Sequence, residues 1–253
     1  MKKKKQIKLL NSGNAKTRKG EKLGWVTYGL HLAPFNLSGF QVCKDASDGC
    51  AFSCLNTSGM GAFSNVQKAR IAKTRFFFKQ RKKFMAQLFK EIESAIKSAK
   101  RKGLRPCFRL NLTSDLPWEK IKHEGKSVMQ AFPSVQFYDY TKSPERMTEF
   151  LKGEMPENYH LTFSRSETNA ELSWNFLPSL GNVAMVFRGE LPETFFGFKV
   201  IDGDETDLRF LDPDGCIVGL VEKGKAKADQ SGFVIEADQF RLSATFKSER
   251  GQA

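Results

Sequence analysis

The sequence predicts an α/β protein built as a full or partial (β/α) barrel, and three observations lead there. Short apolar runs rich in β-branched and aromatic residues recur between Trp25 and Val221, with helix-patterned or polar segments between them. Strands spaced by helices pair in parallel, and about six or seven such units in 253 residues fit one barrel domain better than a doubly wound open sheet. Polar residues gather directly after one run after another, as they do where strand ends open on a shared face.

Taken in order, residues 1–22 are polar and basic and read as a flexible arm. A single domain spans 23–240, and 241–253 reads as a tail. Trp25–Leu32 is the first strand, stopped by Ala33-Pro34, and a cysteine loop at 43–54 follows. Ile71, Phe78, Met85, Leu88, Phe89, Ile92 and Ile96 share one face of a helix running from Val66 to Lys102, which Gly103 ends. Strands follow at Cys107–Leu112, Val135–Tyr140, Tyr159–Ser164, Val183–Arg188, Gly197–Asp202 and Cys216–Val221. Helices are expected at Pro117–Ala131, Pro144–Lys152 and Glu167–Phe176.

The formal net charge is +13, which attracts polyanions and points to nucleic acid or a phosphorylated nucleotide as partner. The densest basic stretch supplies Lys79, Arg81, Lys82 and Lys83 as candidate nucleic-acid contacts. The Phe76-Phe77-Phe78 run beside it reads as core, because a helix on a sheet buries most of such a run. No apolar run reaches the ~18 residues of a membrane span. The expected compartment is the cytoplasm, with thiols free or metal-bound.

The sharpest chemical signal is the spacing C-x6-C-x3-C formed by Cys43, Cys50 and Cys54. These are three of the chain's five cysteines, and the loop holds no histidine to complete a zinc tetrad. Three thiolates and an open fourth position suit a 4Fe–4S cluster with one iron left for a ligand. Cys107 and Cys216 lie inside apolar runs and read as buried small hydrophobes. His31 and His160 read as buried, hydrogen-bonded histidines.

Around that loop, the strand ends offer Thr113, Ser114 and Asp115, then Asp139–Lys142, then Ser164, Arg165 and Glu167, and later Asp202, Asp204 and Asp207. The stretch YGLHLAPFNLSGFQVCKDASDGCAFSCLNTSG, with RLNLTSDLPWE, FYDYTK, YHLTFSRSE, VIDGDETDLRFLDP and GCIVGLVEKGKA, resembles the phage "gene product 88" family from about Gly24 to Phe233. That resemblance implies a phage- or plasmid-encoded protein working in the host cell.

A looser resemblance is to radical S-adenosylmethionine (SAM) enzymes, which carry three cluster cysteines in the loop after the first strand of a partial barrel. Their usual C-x3-C-x2-C spacing is wider here, and Ser47-Asp48-Gly49-Cys50 resembles the SxGC context of another phage-associated group. Their glycine-rich motif after the second strand is replaced by Thr113-Ser114-Asp115. The resemblance implies SAM chelated by the free iron of a cluster on Cys43, Cys50 and Cys54. It implies Thr113, Ser114 and Asp115 at the methionyl ammonium and Ser164, Arg165 and Glu167 at a carboxylate or ribose. Asp202 and Asp204 would meet a further polar group. Asp115, Arg165 and Glu167 are the catalytic candidates.

The expected function is therefore an iron–sulfur enzyme of radical-SAM type acting on nucleic acid or a nucleotide, fed by an electron-donor protein. A nucleic-acid-binding protein with a structural cluster or zinc is the alternative. A hydrolase using Asp202, Asp204 and Asp207 ranks third because it leaves the cysteines unexplained.

Overall fold

The computed structural model describes residues 7–12 and 18–237; the Lys2–Lys5 run and the expected tail at 241–253 lie outside the described residues. Ten strands form one mixed α/β sheet: β1 Leu10–Asn11, β2 Trp25–Leu30, β3 Arg105–Arg109, β4 Gln136–Thr141, β5 Tyr159–Ser164, β6 Val183–Phe187, β7 Thr194–Phe195, β8 Phe198–Asp202, β9 Ile217–Val221 and β10 Val234–Ile235. The order is β1-β2-β3-β4-β5-β6-β9-β8-β7, and β10 pairs with β6 off that path. Pairing is parallel from β2 to β8, with antiparallel β1 and β7 at the two edges. The sheet is open among the described residues, since no pairing joins its first and last strands.

Each expected strand is present within two or three residues of its predicted bounds, and Tyr159–Ser164 matches in full. Three short strands carry too few residues to show a period in the sequence: β1, β7 and β10. β10 has a distinctive place. One edge of β6 pairs with β5 through Val183 and Ala184, and further along with β10 through Val186 and Phe187. The sheet therefore splits where β5 and β6 part, at their C-terminal ends.

The flexible-arm reading is corrected for residues 7–12. Leu9 and Leu10 are buried, their amides donate to the Glu91 carboxylate, and Lys73 Nζ donates to the Leu9 carbonyl 2.8 Å away. Two buried leucines and β1 pairing outweigh a basic, polar composition.

The helices are α1 Asp48–Phe52, α2 Ser64–Lys79, α3 Arg81–Arg101, α4 Val128–Ala131, α5 Pro144–Leu151 and α6 Ala170–Phe176. The expected continuous helix over Val66–Lys102 is broken at Gln80, whose φ of −138° and ψ of 50° leave helical space. The bend lets three consecutive rings find partners in different directions. Phe76 meets Phe84, Phe77 meets Trp118, and Phe78 stacks on Phe40 at 4.5 Å. Beyond the bend, Phe84, Leu88, Ile92, Ala95 and Ala99 share the core with Val26, Phe108 and Phe137 of the sheet.

The helix expected over Pro117–Ala131 shrinks to α4. Asn111 is the reason: its Oδ1 accepts from Ser114 Oγ, the Leu116 amide and Trp118 Nε1, which pins the chain in turns. Glu124 and Gly125 then take left-handed φ values of 50° and 81° within a bridge between His123 and Lys126.

Candidate functional site

The cysteine loop is fastened at both ends to the C-terminal rim of the sheet. Phe35 takes a left-handed φ of 51° and turns the chain, so that its carbonyl accepts from Val42 N. Val42 O accepts from Asp115 N at 2.8 Å, and Thr113 Oγ1 donates to Leu32 O at 2.6 Å. Beyond Cys43, Ser47 caps α1 by accepting from the Cys50 amide. Ser47 Oγ also donates to Glu167 Oε2 at 2.8 Å, and Gly49 N donates to Glu167 Oε1 at 2.7 Å. A single carboxylate at the end of β5 thus holds the turn that carries Cys50.

The three thiols of this loop share one electrostatic neighbourhood. All are free and half-buried. Burial pushes the Cys43 thiol up to about 12, and the nearby Asp115, Cys54 and Cys50 act in the same direction. Burial also raises Cys50, where Lys142 opposes the shift and Glu167 and Asp115 add to it. Cys54 is raised by burial and by Cys50, with Arg70 and Lys142 opposing. Lys142 thus acts on Cys50 and Cys54, and Arg70 on Cys54.

Lys142 is the central cation. It follows β4 directly and its Nζ donates to Ser164 Oγ at 2.9 Å and to the Ser164 and Arg165 carbonyls at 3.2 Å. Burial lowers its pKa, while Cys50, Asp115 and Glu167 act to hold it charged. Arg70 of α2 is the second cation, buried with a contact from NH1 to Asn56 Oδ1 and its Nε unpartnered.

The structure brings Cys43, Cys50, Cys54, Asp115 and Glu167 into this circle and gives the remaining expected residues specific local partners. Asp115 accepts from the Lys142 amide at 2.7 Å, from Thr141 Oγ1 and from Arg146, so it joins the β3 and β4 ends. Ser114 Oγ donates to Asn111, and Ser164 Oγ accepts from Lys142. Arg165 NH1 donates to the Gly232 and Phe233 carbonyls and braces the approach to β10.

Asp202 Oδ1 accepts from Asp204 N, while Asp204 accepts from Lys223 Nζ and Val221 N beside β9. Asp207 accepts from Arg109 NH1 at 3.0 and 3.1 Å and from Tyr138 Oη, which places it in a structural ion pair. At the α2–α3 bend, Arg81 lies 3.6 Å over the Phe77 ring, whereas Lys79, Lys82 and Lys83 are exposed.

Below Lys142 and Ser164 lies a polar layer that has no trace among the expected site residues. Tyr140 pairs in register with Thr162, one step below Lys142 and Ser164 on the same face. The Arg109 guanidinium sits 4.4 Å over the Tyr140 ring, and Arg209, from a turn packed on β4 and β5, acts on the same hydroxyl. Tyr140 Oη, Thr162 Oγ1, Arg109 Nε and Arg209 Nε are buried without hydrogen-bond partners. Alternation along β4 and β5 is the signal that could have revealed this layer.

A sequence model of the gene product 88 family matches residues 5–237. The chain belongs to the gene product 88 family. That span contains every residue of the circle just described, together with the β10 strand that Arg165 braces. No curated protein and no solved structure matches the chain. The radical SAM likeness therefore has no counterpart in these comparisons.

The half-buried thiols of Cys43, Cys50 and Cys54 are, by their chemistry, donors of the kind that metals take as thiolates. Among the described residues, no three His, Cys, Asp or Glu side chains converge closely enough to hold one metal ion. Lys142 acts on Cys50 and Cys54, and Arg70 on Cys54, where a cation offsets the charge of a thiolate.

Proposed function

We propose that this gene product 88 protein is an iron–sulfur enzyme of radical-SAM type that acts on nucleic acid or a nucleotide. The observation that carries the reading is the shared neighbourhood of Cys43, Cys50 and Cys54 at the C-terminal ends of parallel strands, with Lys142 acting on Cys50 and Cys54. Strands β2 to β6 follow one another in sequence order, which suits a partial barrel opening on that face. Cys43, Cys50 and Cys54 would hold a 4Fe–4S cluster with one iron open to SAM. Such a cluster supplies one-electron reduction of a bound sulfonium, with electrons from a donor protein.

The chain's own residues bind, orient and balance charge. Glu167 fixes the Cys50 turn through Ser47 and Gly49. Lys142 places an ammonium beside Cys50 and offsets thiolate charge. Asp115 holds the Lys142 backbone in position rather than standing free as an acid or base. The unpartnered hydroxyls of Tyr140 and Thr162, with Arg109 and Arg209, form a buried donor-rich layer below Lys142 and Ser164.

The test is an absorbance and electron-paramagnetic-resonance comparison of reduced, anaerobically purified protein with and without SAM. A cluster signal that SAM perturbs supports the enzyme. A signal indifferent to SAM moves the protein to the binding class with a structural cluster.

A further inference from the structure

We propose that the segment from Phe52 to Phe63, around Cys54, is a stacking platform for single-stranded nucleic acid, formed by Phe52 and Phe63 and flanked by Lys68 and Lys225. The inference deepens the reading above by naming the substrate class and where it docks, and it rests on that reading for its link to the thiols. The expected contacts at Lys79, Lys82 and Lys83 lie instead at the α2–α3 bend.

Within twelve residues the chain leaves Phe52 at 46%, Leu55 at 57%, Met60 at 72% and Phe63 at 56% exposure. An apolar cluster of this kind beside a polar site marks an interaction surface. Among the described residues neither Phe52 nor Phe63 packs on another ring, whereas the exposed Phe196 leans on Trp174 at 5.0 Å. Two aromatic rings thus stand partly exposed at the end of the loop that carries the thiols.

Positive charge is built into the same rim. Lys225 Nζ lies 6.0 Å from the centre of the Phe52 ring. The turn at Gly224–Ala228 that carries it packs on the turn at Leu55–Thr57, and a Cβ at Gly224 would come within 2.7 Å of Ser58 Cβ. α2 starts at Ser64, directly behind Phe63, with no side-chain cap and no acidic residue in its first turn. Ser64, Asn65 and Lys68 are exposed there. The Val66 amide donates to Asn65 Oδ1 at 2.9 Å, and the sixteen-residue helix directs its positive end outward, where an anion is favoured.

Ring faces alternating with positive groups match bases alternating with phosphates. A duplex hides its base faces inside the stack, so the single strand is the form that uses both. An apolar protein surface would use the rings and leave Lys68, Lys225 and the open helix end without a role.

Fluorescence anisotropy of a labelled oligothymidylate, and of its duplex, on the full chain tests this. Phe52→Ala with Phe63→Ala should weaken single-strand binding roughly tenfold or more. Phe52→Trp with Phe63→Trp should preserve it, and unchanged thermal melting shows that the alanine variant is folded. Lys68→Gln with Lys225→Gln should reduce the salt slope by about 0.7 per lysine.

Unchanged affinity in the double alanine variant overturns the platform. So does preference for duplex, or loss of binding on Lys82→Gln with Lys83→Gln instead. Iron content of the same preparations separates the claims. Loaded protein that ignores the oligonucleotide sinks this inference alone, whereas iron-free protein that binds it through Phe52 and Phe63 sinks the enzyme reading alone.

Discussion

The Gly49 amide donates to Glu167 Oε1 at 2.7 Å, across 118 positions of sequence, and this bond ties the middle cysteine to the end of β5. Ser47 Oγ holds the other oxygen. The geometry of the thiols thus depends on a carboxylate that carries no metal-binding signature of its own.

Gly49→Ala should disrupt that tether. A Cβ there would lie 2.8 Å from both Glu167 carboxylate oxygens and would collide with Ser231 Oγ. Overpacking of this kind costs about 1–3 kcal/mol. Urea melts should show the loss, and iron loading should fall with it. Wild-type loading in Gly49→Ala would mean that the turn tolerates a different position.

Glu167→Ala removes the acceptor for two donors at once, and leaving them unpaired costs about 1–3 kcal/mol each when buried. Glu167→Gln keeps an oxygen for Gly49 and should be milder. Hydrogen exchange across residues 47–54 should quicken in the alanine variant and remain near wild type in the glutamine one. Equal exchange in both variants would contradict the tether.

Arg146→Met should be among the most damaging single changes at the rim. Arg146 is buried and meets Asp115, Glu119 through Nε and NH2 at 2.8 and 2.9 Å, and Tyr159 Oη at 2.8 Å. Breaking such a pair leaves buried carboxylates uncompensated and costs about 3–5 kcal/mol. A urea midpoint close to wild type would show that the carboxylates find other partners.

His160 gives a pH signature. Burial lowers its pKa from the ordinary 6.5 to about 4, with Asp214 opposing and Arg209 adding to the shift. The unfolded imidazole binds its proton below 6.5, the folded one only below about 4. The stability it contributes is therefore intact above pH 6.5 and lost as pH falls through that window, by roughly 3 kcal/mol. His160→Gln should flatten the stability curve between pH 6.5 and 4 relative to wild type. Parallel curves would remove His160 from the acid response.

Much of this was legible in the sequence where local pattern decides. Tyr159–Ser164 reads as a strand because its residues are β-formers, and the C-x6-C-x3-C spacing places the thiols in one loop. Long-range bonds were not legible. Glu167 stood out as polar at a strand end, but its partnership with Gly49 has no local trace. Lys142 drew notice only as one more loop residue, although its Nζ joins two strand ends. The Asn111 side chain overrode the helix expected after Pro117, and the break at Gln80 that divides the long helix in two carries no Gly or Pro to mark it in the sequence.

The central claim is that Cys43, Cys50 and Cys54 hold one cluster. The most direct measurement is iron and acid-labile sulfide per chain, on protein purified without oxygen, for the wild type and for each Cys→Ala variant. The account predicts about four irons and four sulfides in the wild type and a loss of most of both in Cys43→Ala, Cys50→Ala and Cys54→Ala, with Cys107→Ala unchanged. Zinc in place of iron, or full iron retained in Cys50→Ala, would contradict it.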